Sequence, residues 1–295
     1  MSDDDQINTQ TRHVTIDNGG VALHVAIDGP DDAPPVLVLH GITSGTGTWD
    51  WLVPLLTPAH RVLRLDFRGH GGSARAPGEY HSEGYVSDAV AVVEQVAGRP
   101  VAVIGHSLGG VTAAGLGQSR PDLVTGMVLE DPPLVSVGRL EGNSLGDSFR
   151  LLRESVPRMQ EAGVDVATLT AILTAAPTAD GSTFGESLHT DAIEAMATAL
   201  LQLDASVLDA VVSGGPMSWV FDVEQPLTVP TYIAAADPTK PDAVCRAEAF
   251  EKVRSVSGDH VRAEVIDGTG HLIHDSRTSR DRFATAALAH LATLG

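Results

Sequence analysis

The chain is poor in cysteine, in basic residues and in long apolar runs. It has one cysteine, Cys245. A single thiol excludes an internal disulfide and a cysteine-rich metal site, so a small packed or half-exposed thiol without a catalytic role is expected there. Basic residues number 19 against 38 acidic ones, a formal net charge of −19. Such a surface repels phosphates, which argues against nucleic acid or an anionic membrane as partner. No apolar run approaches the ~18 residues of a membrane-crossing helix. The N-terminal stretch MSDDDQINTQTR lacks a positive region followed by an apolar one, so it does not read as a signal peptide. A soluble, cytoplasmic protein is the expectation. Hydrophobic residues still make up 43% of the 295, enough to bury a core and to exclude wholesale disorder.

Residues 1–12 read as a disordered tail. Two short strand-like runs, 13–17 and 21–28, flank Asn18-Gly19-Gly20, a hairpin signal. Continuous apolar runs follow at 36–40 (VLVLH), 61–67 (RVLRLDF), 101–106 (VAVIGH) and 124–131 (VTGMVLED). Runs of this kind suit strands buried on both faces. Helical stretches at 83–96 and 107–118 alternate with the last three. The alternation predicts an α/β fold, a mostly parallel sheet flanked by helices. From 134 to 225 no convincing strand occurs, and helical windows take over at 148–162, 191–203 and 205–212. Strands return at 229–237 and 261–267, with a helix predicted over 242–255 between them and another over 280–294. The expected organisation is a core of 13–133 and 226–295 interrupted by a helical insertion, 134–225.

Gly105-His106-Ser107-Leu108-Gly109 lies between an apolar strand and a helical stretch, the context that a G-x-S-x-G nucleophile turn requires. A serine at the apex of so tight a turn leaves no room for side chains two residues away on either side. The turn also presents Oγ near a helix N-terminus, where negative charge is favoured. Three further segments stand in order around it. His40-Gly41 closes the run 36–40, Asp66-Phe67-Arg68-Gly69-His70-Gly71-Gly72-Ser73 closes the run 61–67 and continues past it, and Gly270-His271 follows the last strand. With these four motifs the chain resembles α/β-hydrolase-fold enzymes over nearly its whole length. The resemblance implies a serine hydrolase with an oxyanion loop at His40-Gly41 and a catalytic histidine at His271, and it leaves the substrate open.

Among twelve histidines, His271 is the expected base, because a strand and the turn 268–270 deliver it to the nucleophile's edge of the sheet. His274 is its rival, better suited to lining the loop. His40 and His70 are expected to fix loops, and His106 to point away from the reaction. No zinc-binding helix pattern such as H-E-x-x-H is present. The oxyanion donors are expected at the Leu108 N–H, directly after the nucleophile, and, from the resemblance, at Ile42. Two carboxylates compete for the third place in the triad. Asp237 ends the strand run before Pro238, where the family usually carries its acid. Asp131 ends the run 124–131 before Pro132-Pro133, where some members carry it instead. Asp237 is favoured, and Glu130 is expected to point to the opposite side from Asp131.

These residues predict cleavage of an ester or lactone through an acyl-enzyme on Ser107, without a cofactor. A serine nucleophile disfavours the aspartyl-ester chemistry of epoxide hydrolases and haloalkane dehalogenases in the same superfamily. Carbon–carbon bond hydrolysis is an alternative, and such relatives often hold a substrate carboxylate with a lid arginine. Arg139, Arg150, Arg153 and Arg158 are the candidates here. A non-catalytic ligand receptor on the same fold is the other. The insertion, rich in Leu, Ala, Val and Met but poor in aromatics, suggests a small or medium hydrophobic substrate.

Overall fold

The computed structural model describes residues 10–135, 144–178, 181–212 and 220–294. Eight strands form one sheet: β1 Arg12–Asn18, β2 Val21–Asp28, β3 Pro35–Leu39, β4 Arg61–Leu65, β5 Val101–His106, β6 Val124–Glu130, β7 Thr231–Ala236 and β8 Val261–Ile266. Their order is β1-β2-β4-β3-β5-β6-β7-β8. The first hairpin is antiparallel and β2 meets β4 antiparallel, while β3 through β8 run parallel. Every strand expected from the sequence is present. The apolar runs become the central strands because both faces are covered. Leu37, Leu39 and Val103 pack into one core cluster, while Val36, Val38, Ala102 and Ile104 pack into a second one.

The helices are α1 Val53–Leu56, α2 Ser82–Val92, α3 Leu108–Ser119, α4 Ser144–Glu161, α5 Val166–Ala175, α6 Phe184–Ser187, α7 Thr190–Gln202, α8 Asp209–Val212, α9 Ala247–Ser257 and α10 Arg280–Leu291. Five of them, α4 through α8, lie between β6 and β7, and among the described residues of 134–225 there is no strand longer than an isolated bridge. Helix α5, absent from the expected windows, carries an apolar sequence with only Leu169 buried. The predicted helix over 242–255 begins later, at Ala247, because 237–246 forms a loop that turns its amides toward the end of β6. The expected tail is shorter than 1–12. Arg12 opens β1, and the Thr11 hydroxyl bonds Asp28 at 2.6 Å. Residues 1–9 of it lie outside the described residues.

Candidate active site

Ser107 sits between β5 and α3 with φ 52° and ψ −114°, a left-handed conformation that L-residues seldom adopt. The neighbouring backbone holds it there. Its N–H donates to the Glu130 carbonyl at 2.9 Å, and the Gly109 N–H donates to the His40 carbonyl at 3.1 Å. A Cβ on Gly105 would meet the Gly109 carbonyl oxygen at 2.3 Å, and one on Gly109 would meet the Leu39 oxygen at 2.4 Å. Those two contacts are the steric reason for both motif glycines. Ser107 is buried, 8% exposed.

The expected oxyanion loop passes directly over this turn. A Cβ built on Gly41 would lie 3.6 Å from the Ser107 Cβ. His40 Nδ1 donates to the Gly41 carbonyl at 2.7 Å, while His40 Nε2 accepts from the Phe67 N–H at 3.1 Å. Burial pushes its pKa down to about 3, which keeps the ring neutral as this pairing requires. His70 Nε2 contacts the Ile42 carbonyl at 2.7 Å. Both histidines therefore fix loops, as expected. Among the described residues, no backbone or side-chain acceptor takes the N–H of Ile42 or of Leu108. Two amides beside a strained serine at a helix N-terminus can receive an anionic oxygen.

The sequence favours Asp237 as the acid, and the structure gives that place to Asp131. His271 Nδ1 and Asp131 Oδ2 are 2.6 Å apart, and both side chains are buried. Asp131 also has a positive φ, 36°, which re-aims its carboxylate across the end of β7. There Oδ1 accepts from Ala236 N at 3.1 Å and Cys245 N at 3.0 Å, and Oδ2 accepts from Val244 N at 3.0 Å. Three amides thus fix the carboxylate that faces His271. Asp237 turns away. Its Oδ1 bonds the Thr239 N–H and hydroxyl at 2.9 and 2.7 Å, and its Oδ2 accepts from Gly268 N at 2.8 Å. It ties the loop after β7 to the turn after β8. With Nδ1–H given to Asp131, the His271 ring offers Nε2 as a base.

Further groups hold the histidine loop. Asp242 Oδ2 accepts the His271 N–H at 3.1 Å. The same carboxylate would lie 2.4 Å from a Cβ on Gly270, so a larger residue before the histidine would have to push Asp242 aside. His106 Nε2 donates to the His271 carbonyl at 3.1 Å and stitches the nucleophile turn to the base loop. Burial, with His271 and His274 nearby, pushes the His106 pKa well down and keeps it neutral. Glu130 points opposite to Asp131, as strand alternation requires, and bonds His274. The role of Asp242 was not legible in the sequence, since an irregular loop leaves no periodic signal.

His106, Glu130 and His274 are close enough for their ligand atoms to surround a cation. Both His274 nitrogens, His106 Nε2 and Glu130 Oε1 already have protein partners, and His106 Nδ1 is buried without one among the described residues. Cys245 is buried, and burial raises its thiol pKa well above the usual value, against a nucleophilic role. In the insertion, Arg150 pairs with Asp147, Arg153 pairs with Asp209, and Arg158 is exposed. Arg139 lies outside the described residues. A cavity of about 400 Å³ opens between α7 and residues 45–51. Asp50, Asp66, Asp191 and Glu194 line it, and Ser107 and His271 do not.

Residues 36–286 match the model of the alpha/beta hydrolase family. A serine hydrolase-like protein of Danio rerio is 40% identical over 105 residues, 35% of this chain and 32% of that protein. Lipase LipV of Mycobacterium tuberculosis is 36% identical over 118 residues, 40% of this chain and 44% of that protein. The matches thus span about a third to under a half of these relatives. Among solved structures, a deformylase from Pseudomonas putida S16 superposes with a TM-score of 0.72 at 20% identity, covering 93% of this chain and 100% of the other.

Proposed function

The chain belongs to the alpha/beta hydrolase family, and within that family we propose that it is a serine hydrolase of ester, lactone or related acyl bonds, with Ser107, His271 and Asp131 as its triad. The observation that carries this reading is the 2.6 Å His271–Asp131 contact, tied through the His106–His271 hydrogen bond to a turn that holds its serine at φ 52°. In the proposed reaction His271 Nε2 takes the Ser107 proton as Oγ attacks the carbonyl carbon. The Ile42 and Leu108 N–H groups receive the oxyanion, and Asp131 stabilises the imidazolium. His271 then protonates the leaving group, and water activated by the same ring releases the acyl-enzyme. None of these steps needs a cofactor. The helical insertion serves as a cap, and its Leu, Ala, Val and Met content supports a small to medium hydrophobic acyl substrate.

Among the described arginines of the insertion, Arg150 and Arg153 have acidic partners on the protein surface and Arg158 is exposed, so these three lend carbon–carbon hydrolysis no support. The test is turnover of a panel of chromogenic esters and lactones by the wild type and by Ser107→Ala. Wild-type turnover lost in the variant, with the same melting temperature, is the expected result. Equal turnover by both proteins would remove the serine mechanism, and no turnover by either would favour a receptor.

A further inference from the structure

Behind the triad lies a second buried histidine–carboxylate pair that the reaction does not use. Glu130 Oε1 accepts from both the backbone N–H and Nδ1–H of His274, each at 2.9 Å, and Oε2 lies 2.8 Å from Nδ1. On its other side, His274 Nε2 is 3.1 Å from the Thr48 hydroxyl and 3.3 Å from Asp275 Oδ1. The ring stacks on Trp49 at 4.3 Å and 21°, and meets His106 edge-on at 4.9 Å. Glu130 and His274 are 0% and 1% exposed, so no water competes for these contacts.

Each partner belongs to a different catalytic loop. Glu130 directly precedes Asp131, and its carbonyl holds the Ser107 N–H. Thr48 and Trp49 follow the loop that carries Ile42. His106 precedes Ser107, and His274 is three residues past His271. Burial lowers the His274 pKa, but Asp275 and Glu130 outweigh it, so the net direction is upward.

We propose that Glu130 and His274 are positioning residues, a non-catalytic pair that locks the loops of Ser107, His271, Asp131 and Ile42 into one register. This rests on the triad reading above. Moving any one loop away from this buried histidine–carboxylate pair would leave a polar group unpaired without water to replace the contact, and that cost disfavours other arrangements. Register matters here because displacements near 1 Å can slow a reaction ~10²-fold.

The test uses Glu130→Gln, which keeps the shape and removes the charge, and Thr48→Val, which removes only the far hydroxyl. Active sites are counted by stoichiometric labelling of Ser107 with a fluorophosphonate, so that unfolded protein drops out. Glu130→Gln is expected to lower kcat per labelled site by roughly 10- to 10²-fold with little change in KM, and Thr48→Val by a few-fold. Independently of turnover, nuclear magnetic resonance should show the His271 Nδ1 proton exchanging with solvent at least about tenfold faster in Glu130→Gln, as expected of a loosened buried hydrogen bond. Wild-type kcat per site and an unchanged His271 signal in both variants would overturn the proposal. If wild-type protein fails to label at Ser107, the serine reading falls, and the proton-exchange result still decides the positioning role. If Glu130→Gln does not fold, Thr48→Val decides it alone.

Discussion

The loops that leave β6 and β7 each begin with an aspartate followed by proline, on neighbouring parallel strands. Asp131 is buried, held by three amides, and faces His271. Asp237 is surrounded by Thr239 and Gly268 at the surface. The same residue type at equivalent strand ends therefore does opposite work. The deciding element is the path of 238–246. That segment folds back so that the Val244 and Cys245 amides converge on the β6 carboxylate. It also sends Asp242 to the His271 backbone. One loop thus seats the acid and the base together, and Asp237 is left to anchor its root.

Exchanging the charges at the two ends tests this contrast most severely. Asp131→Asn should reduce kcat by ~10⁴-fold, the size of loss expected when a triad loses the acid that sets the histidine tautomer. It should still fold, because Asn tolerates a positive φ. Esterase assays with circular dichroism on the same sample would check both halves. A loss under tenfold would return the acid to Asp237. Asp242→Ala should lower kcat by roughly 10- to 10²-fold with KM little changed, since it releases the histidine backbone without touching its ring. An unchanged kcat would show that the loop seats only the acid.

Asp237→Asn should keep activity within about threefold of wild type, because its contacts fix a surface turn and not the reacting groups. Its effect should appear in acid. Hydrogen bonds from the Thr239 side chain, the Gly268 N–H and the Thr239 N–H pull the Asp237 pKa down to about 2. A lowered carboxylate stabilises the fold above its ordinary value near 3.8 and loses that contribution as pH falls through about 2. Thermal melts of the variant should therefore lose part of the wild-type slope between those two values and match it from pH 5 to 8. Solvent screening makes this the smallest effect.

All eight strands were legible because the sheet buries apolar runs on both faces, a signal that needs no tertiary information. Ser107 and His271 were legible for a related reason. Strand ends and glycines mark where a chain must turn, and the chemistry sits at those turns. The choice between Asp131 and Asp237 was not, because each ends its strand in the same way. What separates them is a positive φ at Asp131 and amides 113 and 114 residues further along the chain. No local pattern encodes such a long-range convergence. Glu130 was placed correctly on the far side by strand alternation, but its partner His274 becomes visible only when the last loop is folded over β6.

The insertion leaves the core directly after Pro132-Pro133, three residues past Asp131. Past its midpoint, at residues 187–191, it is hooked to the residues that follow His271. The Arg277 N–H donates to Ser187, the His189 N–H donates to Asp275, and Arg280 pairs with Asp191 in the first turn of α7 at 2.7 Å. His271 and Asp131 thereby lie between two of the points that fasten this segment to the core. Free energy that displaces α7 must be transmitted into the histidine loop, and linkage makes the coupling reciprocal. On the proposed mechanism, an acyl group on Ser107 that strengthened the His271–Asp131 bond would be expected to tighten α7 as well. Hydrogen exchange of the amides at 188–202 becomes a readout of chemistry at a serine with which they share no element of structure.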